Sequence, residues 1–301
     1  MILVKKWKLF IPILLSALLI GAKNCTAEFS VEADDKINYT IVQADLDVNI
    51  GYNSFQVTGI NIDNNNIEEG YTLSAEVDTV SSVVTIFTYS ARGHATSATV
   101  QFDAIEFMIP QTVHYAFSLF EMGANDWSVL EDSFEYGFNL LFIPTFVPFI
   151  DVTDTTWSWI DGYFASYSYF FATATFDHAN YTMQYESKTK GDVFTAEWLV
   201  QMSDIRTNQA FNVDVTGSSH YKLSIQKSTG IILGSRYEGS CFGELNGLTV
   251  DVSTSLLFEE ENYDMPGFKI GSASISSLYL LSGTTSIFIV AIITRKRKFR
   301  K

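Results

Sequence analysis

Four histidines, two cysteines and 34 acidic residues are the groups from which this sequence would have to build acid–base, nucleophilic or metal chemistry. His94, His114, His178 and His220 lie far apart, with no H-E-x-x-H or comparable metal-ligand spacing. Cys25 and Cys241 are too few for a structural zinc site. There is no G-x-S-x-G elbow, no phosphate-cradling glycine loop and no paired-cysteine redox motif. A carboxylate pair for glycoside hydrolysis is defined by separation in space, which chain spacing does not report. These observations point to a non-enzymatic protein with no metal and no cofactor, and leave a surface glycoside hydrolase as a third reading.

Two other polar groups invite a ligand. Asp45, Asp47 and Asn49 have the spacing of a calcium loop, but Gly51 arrives one place late and Gln56 stands where a bidentate Glu belongs. The same stretch alternates Val42, Ala44, Leu46, Val48 and Ile50 with polar residues, which reads as a half-buried strand. Residues 61–70, rich in Asn and acid, read as a polar turn region whose Asp63, Glu68 and Glu69 either face solvent as a solvated loop or hold a cation loosely, the first being the expectation. Asn38 and Asn180 each begin an N-x-T glycan acceptor pattern.

The apolar candidates are denser. Residues 140–150 carry no charge and two prolines, so neither a helix nor a central strand is expected there, and protein, lipid or a partner must cover them. Asp154 is a good helix N-cap, followed by Trp157, Ile160, Phe164, Tyr167 and Phe171 at alternating spacings of three and four. That helix either fills a core against a sheet or lines an apolar pocket. In the second case Phe142, Phe146, Phe149, Trp157, Ile160, Phe164 and Tyr167 would hold the ligand.

The elements around these candidates are strands. Segments near 71–77, 83–90 and 98–108 are rich in Val, Ile, Thr and Phe. From residue 182 strands are expected at 182–187, 194–202, 211–216, 221–226, 231–237 and 248–258, with short turns between them. Gaps this short join antiparallel neighbours, because parallel strands need crossovers of a dozen residues or more. Lys227, Ser228, Thr229 and Gly230 read as a tight hairpin, with Gly230 supplying a positive φ. The fold class expected is mainly β (α+β): a curved antiparallel sheet or meander packed on one or two amphipathic helices, plus one C-terminal transmembrane helix.

The ends of the chain set its expected location. Lys5, Lys6 and Lys8 precede an apolar run at 9–22, the pattern of a secretory signal within residues 1–27. Cleavage after Ala22 keeps Cys25 and permits a Cys25–Cys241 bridge; cleavage after Ala27 leaves Cys241 as a lone thiol. An uncleaved signal would instead make two spans. Residues 28–258 then form an extracellular β-rich domain and 259–269 an acidic spacer. An uncharged stretch at 270–294 is long enough to span a bilayer, and six basic residues in 295–301 place its end on the cytoplasmic side. Residues 28–274 hold nine basic residues against all 34 acidic ones, about −25. Such a surface repels nucleic acid and anionic lipid headgroups. The partners expected are therefore the membrane, through the C-terminal helix, and a surface protein or a lipid ligand, with no nucleic acid.

Pro266, Gly267 and Phe268, the uncharged run after them and the Arg/Lys tail resemble the sorting tail of archaeal surface proteins, and the whole layout resembles their choice-of-anchor S group. The resemblance implies a tail that a membrane enzyme recognises at Pro-Gly-Phe and exchanges for a lipid anchor. Here Lys269 and a polar stretch at 271–277 separate motif from apolar run. The hairpin at 227–230 with Ile231, Ile232 and Leu233 is similar to one in periplasmic lipoprotein-carrier domains, which implies a curved sheet around a lipid-sized cavity.

Overall fold

The alternation expected from residue 42 is realised in β1 (Lys36–Ile50) from Ala44 onward: Ala44, Leu46, Val48 and Ile50 are buried, as are Ile37, Tyr39 and Ile41, whereas Val42 is 38% exposed. The computed structural model describes residues 29–81, 84–101, 127–139, 147–152, 156–173, 179–208 and 211–271. After β1 come β2 (Asn53–Thr58), β3 (Ile60–Ile62), β4 (Asn65–Ile67), β5 (Thr72–Val80), β6 (Val84–Ala91) and β7 (His94–Gln101). A short helix α1 (Trp127–Phe134), β8 (Phe138–Asn139) and a long helix α2 (Thr156–Thr173) follow. The chain then runs through β9 (Ala179–Lys190), β10 (Val193–Asn208), β11 (Phe211–Gln226), β12 (Ile232–Leu245) and β13 (Leu248–Glu260).

The main sheet has the order β7-β6-β5-β1-β13-β12-β11-β10-β9, and every pairing in it is antiparallel. The fold is thus mainly β, and 179–260 is the meander that the short gaps require. β1 is shared along one edge: Lys36–Thr40 pair with β5 and Asp45–Ile50 with β2. Where the two partners change over, the ladder slips between Ile41 and Gln43, and the Glu69 carboxylate accepts the Ala44 N–H at 2.9 Å. Glu69 thus stays exposed, as expected, while its carboxylate closes a gap in the sheet.

Several expected boundaries move. Residues 61–70 contain a miniature hairpin, β3–β4, because Asp63 and Asn64 both take the positive φ that a two-residue turn needs. Its β3 also pairs in parallel with β8, so the small sheet is mixed. β7 starts at His94, earlier than expected, since Arg92 and Gly93 form another turn with two positive φ angles. Gly217 to His220, which reads as a break, is uninterrupted strand: Gly217 faces Cys241 and Ser218 faces Ser240 across the β11–β12 ladder. Partners on both sides complete those backbone hydrogen bonds and override local turn propensity. α1 has no counterpart in the sequence expectations.

The core lies between the inner face of the sheet, α2 and the segment 147–150. Phe164 stacks on Tyr185 at 4.3 Å and meets Trp198 at 4.6 Å, and Trp198 in turn meets Tyr221 at 4.4 Å. Tyr185 donates to Asp161 of α2 at 2.6 Å, which ties the helix to β9. Phe149 packs edge-on against Phe29 and Phe87, and its backbone bridges Ile231. The buried Tyr39 hydroxyl lies 2.9 Å from the carbonyl oxygens of both Pro148 and Ile232, so one side chain fastens the 147–150 segment to the sheet. Burial pushes the Tyr39 hydroxyl pKa well up, assisted by the charge of Glu260, so the phenol stays protonated.

The 227–230 hairpin is present as expected, with Gly230 at φ +74°. Its Cα lies so close to the 147–150 segment that a Cβ would stand 2.2 Å from the Ile150 carbonyl oxygen. Gly230→Ala combines an unfavourable φ with a backbone clash, an expected cost of about 2–5 kcal/mol. Urea unfolding checks this, and a loss below about 1 kcal/mol would contradict the close approach.

Candidate functional site

Alternation along β10 and β11 sends Ala196, Trp198, Tyr221 and Leu223 into the core and turns Glu197, Leu199, His220 and Lys222 to the outer face. Register then brings the outward groups together, since Glu197 faces Lys222 and Leu199 faces His220. Arg236 of β12 lies beside Lys222, and Leu257 of β13 lies beside Arg236. An outward Glu, Lys and His on a strand would ordinarily be solvated. Here Glu197 is 3% exposed, Lys222 1% and His220 5%.

The cover is residues 265–270. Lys222 Nζ donates to Glu197 Oε2 at 2.8 Å and to the Gly267 carbonyl at 2.6 Å. Glu197 Oε1 accepts the backbone N–H of Lys269 at 2.8 Å and of Ile270 at 2.7 Å. It also lies 3.0 Å from His220 Nε2. The Phe268 ring stacks on His220 with centroids 3.6 Å apart and planes at 19°, and the Arg236 guanidinium sits 5.6 Å from that ring. Met265 is buried above Gly234, where a Cβ would come within 2.8 Å of its sulfur, and its N–H donates to Glu259 Oε1 at 3.0 Å. Leu199, Leu257 and Met265 are buried without belonging to the main core, so the outer face of the sheet holds buried apolar groups of its own.

Ion pair, stacked ring and backbone hydrogen bonds each hold the tail by a different means. A Cβ on Gly267 would meet only Arg236 Nη1, at 3.4 Å, an ordinary contact. The sheet thus reads the Phe268 side chain and the main chain, and does not require glycine.

Burial opposes ionisation of Glu197, yet the hydrogen bonds from Lys222, the Ile270 and Lys269 amides and His220 outweigh it and hold the carboxyl below its ordinary value of 4.5. Burial lowers the His220 pKa below 6.5, against the pull of Glu197 and Glu238 and with the help of Lys222. Both shifts have the same consequence for the docked tail. A released, hydrated His220 takes up a proton first as pH falls through 6.5, so docking weakens from there downward. Glu197 adds a second loss as pH falls below 4.5. Docking is therefore strongest above pH 6.5. The Phe268 ring-proton shifts, displaced by the stacked imidazole, should move toward free-peptide positions between pH 7 and 4, ahead of unfolding. Shifts that stay constant until the whole domain unfolds would contradict this.

The other sequence candidates fall elsewhere. Phe149, Ile160 and Phe164 are buried in the inner core, and Trp157 is half-buried against Phe194 at 5.0 Å. Tyr167 belongs to α2, with its side chain outside the described residues, as are Phe142, Phe146, Asp154 and Cys25. Asp47 accepts from Asn49 at 2.7 Å and Asp45 from Gln43 at 3.2 Å, a polar row on the outer face of β1. Among the described residues no three His, Cys, Asp or Glu side chains are grouped to hold a metal ion. Asn38 is half-buried and accepts from Ser74 Oγ at 2.5 Å, whereas Asn180 is exposed on β9, an edge strand among the described residues. Among the described residues Cys241 is a free thiol in the core, its pKa pushed up to about 12 by burial.

Of the expected sorting residues, Pro266 and Gly267 are exposed and Phe268 is the docked ring. Glu197, Lys222, Arg236 and Met265 were not singled out by sequence reasoning. The available signal was the scarcity of cations, because Lys222 and Arg236 are two of only nine basic residues in 28–274. Among the described residues no helix is long and apolar enough to cross a membrane, and the 270–294 span lies almost wholly outside them, as do 1–27 and 295–301. Comparison with protein-family models, with characterised proteins and with solved structures finds no match.

Proposed function

We propose that this chain is a non-enzymatic cell-surface protein, anchored in the membrane through its C-terminal segment, with a binding or envelope role. The observation that carries the reading is the docked tail. Residues 265–270 are built into the outer face of the sheet and lead directly into the uncharged run and its basic end. Docking of 265–270 would hold the domain near a membrane anchor that follows it in sequence. The acidic balance of residues 28–274 suits an exposed outer surface.

Cell fractionation with mass analysis of the mature chain tests the reading. The expected result is a membrane-bound protein, released only by detergent, lacking the 1–27 segment and cut by external protease on intact cells. A soluble intracellular chain that keeps residues 1–27 would overturn it. Exchange of the tail for a lipid is tested by Gly267→Ala, which leaves the docking contacts in place and alters the Pro-Gly-Phe signal. Loss of a lipid mass in that variant supports exchange, and an unchanged mature mass argues for a retained helix. The carrier reading draws less support, since Phe149, Ile160 and Phe164 are packed against protein. Lipid extraction of the purified chain, followed by mass spectrometry, would revive it by finding a stoichiometric lipid.

A further inference from the structure

We infer that the outer face of β10–β12 is a releasable peptide-binding site, filled in cis by residues 265–270 and able to take a second peptide of the same kind when they leave. The ligand class is a peptide with a long apolar side chain, two variable positions and an aromatic ring, the spacing of Met265 and Phe268. It must also offer a free carbonyl before the ring and two free N–H groups after it.

Three observations carry this beyond a structural contact. First, the sheet side supplies complementary groups for each part of that ligand: Lys222 for the carbonyl, Glu197 for the paired N–H groups, and His220 with Arg236 for the ring. A slot over Gly234 takes the apolar side chain. Secondly, the tail contributes mostly main chain, while Pro266, Gly267 and Lys269 stay exposed, so the site reads a pattern shared by many peptides. Thirdly, the buried state of the site depends on its occupant. Lifting 265–270 removes the tail's carbonyl from Lys222, its two N–H groups from Glu197 and its ring from His220. Charged side chains gain hydration on release, which lowers the cost of opening, and the emptied slot over Gly234 favours refilling by an apolar side chain.

The cis ligand has the advantage of effective concentration. A segment five residues beyond the end of β13 is presented at millimolar levels or above, so a free peptide competes poorly until the tail is weakened or drawn away. Exchange between copies at a surface, or capture of another protein's segment, follows from the same chemistry. The site does not depend on where the chain is anchored, so failure of the membrane assignment leaves this inference standing, and the reverse also holds.

Fluorescence anisotropy with a labelled, end-blocked Met-Pro-Gly-Phe-Lys-Ile peptide tests it on the full chain. The double variant Met265→Ala, Phe268→Ala should bind the peptide at least tenfold more tightly than the unaltered chain. Adding Lys222→Met to that variant, or replacing Phe by Ala in the peptide, should remove the gain. Equal binding of a scrambled peptide, or no binding by a double variant whose circular dichroism matches the parent, would overturn the inference. Should the double variant fold poorly, the unaltered chain provides the second measurement. Excess peptide should raise trypsin cleavage after Lys269 severalfold by displacing the tail, and an unchanged rate would refute the proposal.

Discussion

Replacing Glu197 with Gln is expected to release residues 265–270 while leaving the domain folded. The carboxylate accepts from Lys222, His220 and the backbone amides of Lys269 and Ile270. A neutral amide weakens the accepting side and sets its own NH₂ against one of these donors. Hydrogen bonds to a charged group contribute roughly 1.5–3 kcal/mol each, so losing charge at this junction should cost docking about 2–4 kcal/mol. That corresponds to roughly 30- to 1000-fold more of the open state. The penalty of about 3–5 kcal/mol for orphaning a buried charge does not fall on the fold, because Lys222 is hydrated once the tail lifts. Trypsin cleavage after Lys269 should accelerate by about 30-fold or more, with the circular dichroism of the folded domain retained and the unfolding free energy lowered by no more than the docking energy lost. A cleavage rate equal to that of the unaltered chain would show that Glu197 does not hold the tail.

Trp198→Ala is expected to act on the other face of the same strand and to damage the whole domain. The indole is 1% exposed and lies between Phe164 of α2 and Tyr221 of β11. Its removal loses the largest fully buried side chain among the described residues and leaves a cavity that rigid neighbouring strands cannot fill. Core Trp-to-Ala changes cost about 3–5 kcal/mol, a large share of the 5–15 kcal/mol that stabilises a typical domain. Equilibrium urea unfolding should show a lowered midpoint with a similar slope. A cost under about 1 kcal/mol would mean that α2 is not locked to the sheet through this ring. The two variants sit one residue apart, and their effects separate because alternation sends one side chain to the core and the other to the clasp.

Much of the sheet was legible in the sequence because its signals are local. The alternation of 42–50 and of Phe194, Ala196, Trp198, Val200 and Met202 directly marks a two-faced strand, and the 227–230 turn marks a hairpin. Local signals also misled. Gly217 to His220 looks like a turn, yet ladders to β10 and β12 keep it extended. The site was hidden for a different reason. Glu197 occupies the outward phase of a strand, where a charged residue is normally solvated, and nothing near it in sequence announces a cover. Its partners Lys269 and Ile270 lie 72 and 73 residues away, so only the fold brings them together. Phe268 was noticed as part of a sorting motif; its stack on His220 depends on the register between β10 and β11.

Hydrogen exchange at the Lys269 and Ile270 amides of the intact chain tests the central claim most directly, because both donate to Glu197 Oε1. A docked tail predicts exchange at least about 30-fold slower than in the free hexapeptide, with the protection lost in Glu197→Gln. Exchange at free-peptide rates in the unaltered chain, beside well-protected β10–β12 amides, would contradict it.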